Sequence, residues 1–311
     1  MADPAPFFAV VAEAPPGAVC VWLTAADGVR IRAAHWRGGG KGTVLLLPGR
    51  TEYIEKYGPA AREFAARGYA MATIDWRGQG IADRLLEDRA PGHVLNFLDY
   101  QQDLAALVEW LKGEKMPEPW FLVGHSMGGC IGLRALHEGL PVRAVTFSAP
   151  MWGIKMQAAM RPLAWTLGTL APRLGLGGFL TPSTTRVTYV MAAPFENNLL
   201  TRDPEMFAFM QRQLAAHPDL AIGGPTLQWL GQALLETRRL AAMPAPDIPC
   251  LTVLGAAERI VHIDAIKARM ATWPGAQFDL VPDCEHELMM EKPAVRVRFY
   301  DGAAALFDRY R

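Results

Sequence analysis

Short apolar runs alternate with segments of helical period along most of the chain. Val19–Thr24 and Val29–Trp36 are rich in β-branched and aromatic residues and flank Asp27-Gly28, a pattern that predicts an antiparallel hairpin. Thr43–Leu47, Tyr69–Ile74, Trp120–Val123 and Val142–Phe147 follow as short, mostly apolar runs, as expected for buried strands. Helical segments separate them. One opens at Pro59 and ends before Gly68; one runs over about Asp99–Lys112, with Tyr100, Leu104, Leu107, Val108 and Leu111 on one face; one runs from Ser126 to Glu138 and is closed by Gly139. The pattern breaks at Met151 and resumes with a strand at Cys250–Leu254, a helix near Asp264–Thr272, a strand at Gln277–Val281 and a terminal helix from about Ala294. Eight strands alternating in this way predict an α/β fold with a mostly parallel sheet flanked by helices.

Two segments stand apart from the alternation. Residues 1–18 carry Pro4, Pro6, Pro15 and Pro16 and read as a loose arm. Residues 151–240 read as a helical insertion: Trp152, Met156, Met160, Leu163, Leu167 and Leu170 recur near every 3.6 positions, and Asp203-Pro204 has the form of an N-cap followed by a first helical residue. The expected organisation is a core of residues 19–150 and 241–311 with a cap of residues 151–240 inserted after the sixth strand.

Composition narrows the function. Lys plus Arg total 31, as do Asp plus Glu, so no polyanion-binding surface is indicated and a nucleic-acid partner is not expected. The four cysteines, Cys20, Cys130, Cys250 and Cys284, are too sparse for a disulfide scaffold and read as reduced thiols of a cytoplasmic protein. No apolar run has the length of a membrane span, and the N-terminal apolar run, Phe7–Ala12, is too short for a secretion signal. Peripheral membrane contact through the insertion stays compatible with its composition.

The chemistry centres on Gly124-His125-Ser126-Met127-Gly128, a G-x-S-x-G sequence between a predicted strand and a predicted helix. A sharp strand-to-helix turn lifts Ser126 above the sheet edge at a helix N-terminus, where developing negative charge is favoured. A serine hydroxyl needs a neighbouring base. Of seven histidines, His286 lies just beyond the last predicted strand, in Pro282-Asp283-Cys284-Glu285-His286. The acid belongs after the strand before it, where Glu258 follows Gly255; Asp264 and Asp283 are rivals. Two backbone N–H donors are expected to hold the oxyanion: that of Met127 and that of Arg50, in the Gly-containing loop after Thr43–Leu47.

These segments resemble the α/β-hydrolase superfamily in its monoglyceride lipase and lysophospholipase-like branch. Pro48-Gly49-Arg50-Thr51-Glu52 is similar to the family's H-G-x-x-E segment, with proline in place of histidine. Asp75-Trp76-Arg77-Gly78-Gln79-Gly80 is similar to its D-x-R-G-x-G turn. Gly255-x-x-Glu258-x-x-Val261 and His286-x-Leu288 resemble its acid and base segments, with Glu258 in place of the more common aspartate. The resemblance implies an α/β-hydrolase fold with a helical cap. Glu52 and Asp75 read as structural carboxylates that bond backbone N–H groups, and Arg77 as the partner of one of the neighbouring carboxylates.

The function expected from these residues is a serine carboxylic-ester hydrolase acting on a monoacyl lipid, a lysophospholipid or monoacylglycerol, with no metal or cofactor. The alternatives are a thioesterase or small-ester esterase of the same fold and, in a different class, a catalytically silent binding module. Trp152 and Met156 are the expected substrate contacts in the cap, and the Arg50 side chain a contact for a polar or phosphate head group.

Overall fold

The computed structural model describes residues 2–311 and holds a nine-stranded sheet. β1 (Asp3–Pro4) is followed by a single helical turn, α1 (Ala9–Ala12), and then by β2 (Val19–Thr24), β3 (Arg30–Trp36) and β4 (Thr43–Leu47). α2 (Gly58–Ala66), β5 (Ala70–Asp75), α3 (Asp99–Gly113), β6 (Trp120–His125), α4 (Met127–His137) and β7 (Val145–Ser148) complete the first part of the core. The insertion carries α5 (Arg161–Arg173), α6 (Tyr189–Ala192), α7 (Pro204–Ala216) and α8 (Leu227–Ala242). β8 (Cys250–Gly255), α9 (Ile263–Ala271), β9 (Gln277–Val281) and α10 (Pro293–Arg309) close the chain.

The strand order is β1-β2-β3-β5-β4-β6-β7-β8-β9. The first three strands and the β3–β5 pair are antiparallel; every pair from β5 to β9 is parallel. β4, β5, β6, β7 and β8 are buried at every position, as strands covered on both faces must be, which accounts for their largely apolar sequences. The hairpin turns at Asp27-Gly28, where Gly28 has φ +88°. The helical insertion lies between β7 and β8, after the seventh strand rather than the sixth, because the two-residue β1 adds one to the expected count.

Two expectations are corrected. The N-terminal arm is tied down. Asp3 and Pro4 pair with Trp22 and Val21, Arg32 Nη1 donates to Pro6 O at 2.9 Å, and Phe8 N–H donates to Glu55 at 3.1 Å. Its prolines break regular structure without loosening the segment, because neighbouring groups supply the bonds. The stretch Trp152–Gln157 is also not helical. Lys155 N–H donates to Ile260 O at 3.1 Å and His262 N–H to Gly153 O at 2.9 Å, so this segment runs beside residues 260–262; α5 begins only at Arg161. Farther on, Asp203 caps α7 as its sequence predicts, accepting from the N–H groups of Glu205 and Met206.

Candidate active site

Ser126 occupies the turn between β6 and α4 with φ +49° and ψ −117°, a conformation that costs a non-glycine residue energy and persists only where its surroundings enforce it. They do so from several sides. Ser126 N–H donates to Ser148 O, while Ser126 O accepts from the N–H groups of Gly129 and Met151. A Cβ on Gly128 would lie 2.0 Å from Leu47 O, so only glycine lets the start of α4 press against the end of β4.

The loop after β4 meets this turn. A Cβ on Gly49 would lie 3.1 Å from Ser126 Cβ, so the Gly49–Arg50 backbone passes directly over the serine. Gln79 fixes that loop from below: its Nε2 donates to Gly49 O at 3.0 Å and its Oε1 accepts from Thr51 N–H at 3.1 Å, one bond on each side of Arg50. Gly49 N–H is taken up by Glu52, whereas the N–H groups of Arg50 and Met127 donate to no protein acceptor among the described residues. Sequence reasoning gave Gln79 no role; its place inside the D-x-R-G-x-G turn was the available signal.

His286 and Glu258 are both buried, and His286 Nδ1 lies 2.6 Å from Glu258 Oε2. The other carboxylate oxygen of Glu258 accepts from Ile260 N–H at 2.5 Å and Val261 N–H at 3.0 Å. Burial pushes the Glu258 carboxyl up, but the facing imidazole and these N–H groups outweigh it and hold the pKa below the ordinary carboxylate range. Burial likewise opposes a charged His286, but Glu258, with Glu287 and Glu52 farther off, leaves the imidazole pKa above its usual value. The rivals are elsewhere. Asp283 faces Arg202 at 3.2 Å with its side chain 91% exposed, and Asp264 sits in the first turn of α9.

Ser126 and His286 line one cavity of about 330 Å³ between the sheet edge and the insertion. Among the described residues no hydrogen bond joins Ser126 Oγ to the imidazole; in unliganded sites such bonds are often long or misaligned. The cavity wall is mainly apolar, with Met151, Val190, Met210, Leu214, Trp229 and Leu230 among its side chains. Trp152 and Met156 are not part of it. Trp152 packs on Phe147 and Trp273 at ring separations of 5.0 and 6.0 Å, and its indole N–H donates to Gly129 O. The irregular path of residues 152–157 turns both side chains away, and Met151 and Ile154 face the cavity in their place.

Behind His286 lies a buried charged cluster. Lys56 Nζ stands 2.7 Å from both Glu52 Oε1 and Glu287 Oε1, and His125 Nε2 is 3.4 Å from each of these two residues. Glu52, His125 and Glu287 have the donor types of a metal site, but the Lys56 ammonium already occupies the position between the two carboxylates. Burial works against the charge on Glu52, yet Lys56 and His125 overcome it and lower its pKa to about 2. For His125 burial wins, and its pKa falls below the usual value. The remaining motif carboxylates behave as expected. Asp75 accepts from the N–H groups of Ile54 and Ile81, and Arg77 is forked onto Asp103 and Asp27.

The sequence profile of the family described as "Serine aminopeptidase, S33" matches residues 39–293. Lysophospholipase L2 of Escherichia coli K12 is 32% identical over 297 residues, covering 91% of this chain and 84% of that protein. A soluble variant of monoglyceride lipase from Saccharomyces cerevisiae, solved with a substrate analogue, superposes with a TM-score of 0.71 at 20% identity, covering 93% of this chain and 94% of that one. A thermostable carboxyl esterase from Bacillus coagulans, solved with glycerol, gives 0.75 at 15% identity, over 95% and 99%. These structures share the architecture described above, and the profile match together with the E. coli relative carries the assignment further: the chain belongs to the S33 family of α/β-hydrolases.

Proposed function

We propose that the protein is a serine carboxylic-ester hydrolase acting on monoacyl lipids, lysophospholipids or monoacylglycerols, through an acyl-enzyme. The observation that carries this reading is the buried His286–Glu258 pair, 2.6 Å apart, on the wall of the same apolar cavity that Ser126 lines. Ser126 Oγ attacks the ester carbonyl while His286 Nε2 takes its proton. Glu258 holds the Nδ1–H tautomer and stabilises the imidazolium. The N–H groups of Arg50 and Met127, free of protein acceptors among the described residues, receive the oxyanion. His286 then returns the proton to the leaving alcohol, and water, activated by the same imidazole, releases the fatty acid.

The apolar wall suits a single acyl chain, with Met151 and Met210 able to adapt to its shape. The names of the E. coli relative and of the yeast structural neighbour support a monoacyl substrate. A fluorophosphonate probe tests the nucleophile: the native chain is labelled and Ser126→Ala is not. Labelling of both would remove Ser126 from its role. Turnover of monoacylglycerols, lysophospholipids, acyl-CoA thioesters and short nitrophenyl esters, compared on the purified protein, tests the substrate class. Faster turnover of the thioesters than of the monoacyl lipids would move the assignment to a thioesterase.

A further inference from the structure

The hydrolytic steps give the Arg50 side chain, which lines the cavity, no role. Its guanidinium stacks over the Trp229 ring at 5.6 Å, and Nη1 donates to Gly223 O at 2.9 Å. Nε and Nη2 donate to no protein atom among the described residues, and no carboxylate forms an ion pair with this arginine. Arg50 is partly buried, and other arginines that lie wholly or partly inside the chain are held differently. Arg32 lies between Glu55 and Asp75, and Arg77 between Asp27 and Asp103. Arg84 and Arg269, which also lack an acid, are instead held by two or more backbone carbonyls.

The anionic groups of the cavity cannot serve Arg50, because Glu52 and Glu287 are both committed to Lys56. Burial without an acid partner lowers the Arg50 pKa to about 10, which leaves the side chain charged at neutral pH. A partly desolvated cation on a mainly apolar wall, with no acid of its own, is costly unless an anion joins it. Its planar donor edge matches two oxygens of a phosphate. The position is also informative. The backbone N–H of the same residue is the proposed oxyanion donor, so the charge lies within one side-chain length of the scissile carbonyl.

We propose that the Arg50 side chain determines head-group specificity by receiving the phosphate of a lysophospholipid, with Trp229 as its backing. This rests on the reading of the cavity as an ester site and adds to it a choice between two monoacyl classes. Arg50 supplies two functions from one residue: its backbone faces the carbonyl oxygen, and its guanidinium faces the anion on the alcohol side of the ester.

Binding of lipids that carry no carboxylic-ester bond tests the inference independently of turnover. The ligands are a 1-O-hexadecyl lysophospholipid, 1-O-hexadecylglycerol and palmitate, each below its micellar concentration. The native chain is expected to bind the phosphate-bearing ether at least ~10-fold more tightly than the hexadecylglycerol. Arg50→Met should bring the two affinities together, and Arg50→Lys should fall between. Equal affinities in the native chain overturn the inference without any variant, so a misfolded substitution does not shield it. A dependence on Arg50 for palmitate but not for the phosphate ether would overturn it too, by assigning the cation to the released acid. In turnover the readout is the ratio of kcat/KM for lysophosphatidylglycerol to that for monoacylglycerol, in which losses through the shared backbone N–H cancel. That ratio should fall in Arg50→Met, mainly through KM. An unchanged ratio in an active enzyme sinks the Arg50 assignment alone; absence of ester turnover and of Ser126 labelling sinks the hydrolase reading instead.

Discussion

Lys56 Nζ lies 2.7 Å from Glu287 Oε1, a contact between residues 231 positions apart that closes the base of the cavity beneath His286. Glu52, four residues before the lysine, completes the arrangement from the other side. Because all three side chains are almost wholly buried, none can exchange its partner for water.

Removal of the lysine therefore leaves two buried carboxylates without their shared cation, with only the His125 ring, of lowered pKa, near both. Lys56→Met is expected to lower unfolding free energy by roughly 3–5 kcal/mol at neutral pH, as measured by denaturant titration. The pH dependence follows from the sign of the shifts. In the native chain Glu52 is held near a pKa of about 2, so its contribution is present above the unfolded carboxylate value and is lost as pH falls through that range. In Lys56→Met one carboxyl instead takes up a proton with a raised pKa, and that variant gains stability on acidification. The gap between the two proteins should narrow as pH falls from 8 towards 5; a constant gap would argue against the charge pairing.

The Glu258–His286 pair predicts the pH profile of turnover. In the proposed mechanism His286 must be neutral to accept the serine proton, and its pKa lies above the ordinary histidine value. Thus kcat/KM should rise with pH through a midpoint above ~6.5. Glu258→Gln removes the charge that raises it. The midpoint should then move down, with kcat reduced by roughly 10³–10⁴ as the tautomer is lost. An unmoved midpoint would detach the carboxylate from the base.

Gln79 bonds the backbone on both sides of Arg50. Gln79→Ala frees the loop that carries the proposed oxyanion donor of Arg50, while the donor itself stays in the chain. The expected loss in kcat is about 10-fold, smaller than the ~10²–10³ of deleting a donor outright. Fluorophosphonate labelling should slow in parallel, since it passes through the same oxyanion. A change confined to KM would make Gln79 a binding-wall residue instead.

Much of the architecture was legible in the sequence because parallel strands covered on both faces leave largely apolar runs, as in Thr43–Leu47 and Trp120–Val123, and because the turn around Ser126 needs glycines at fixed offsets. What was illegible shares one property: it depends on groups distant in sequence. Nothing local marks Lys56 as the partner of Glu287. The spacing of Trp152 and Met156 imitates a helix face, yet hydrogen bonds from residues 260–262 hold that stretch in an irregular path. Prolines near the N-terminus suggested looseness because the acceptors and donors that fix the arm lie at Arg32, Glu55 and Gln213.

Gln213 in α7 donates to Val11 O at 2.9 Å and to Glu55 O at 3.0 Å, and accepts from the Tyr53 hydroxyl at 2.9 Å. One amide side chain thus sews the beginning of the polypeptide, the segment leading away from Arg50, and the ceiling of the lipid chamber into a single knot. Trimming a dozen residues from the front would unpick more than a tail: the helix that carries Met210 and Leu214 into the cavity would lose a stitch.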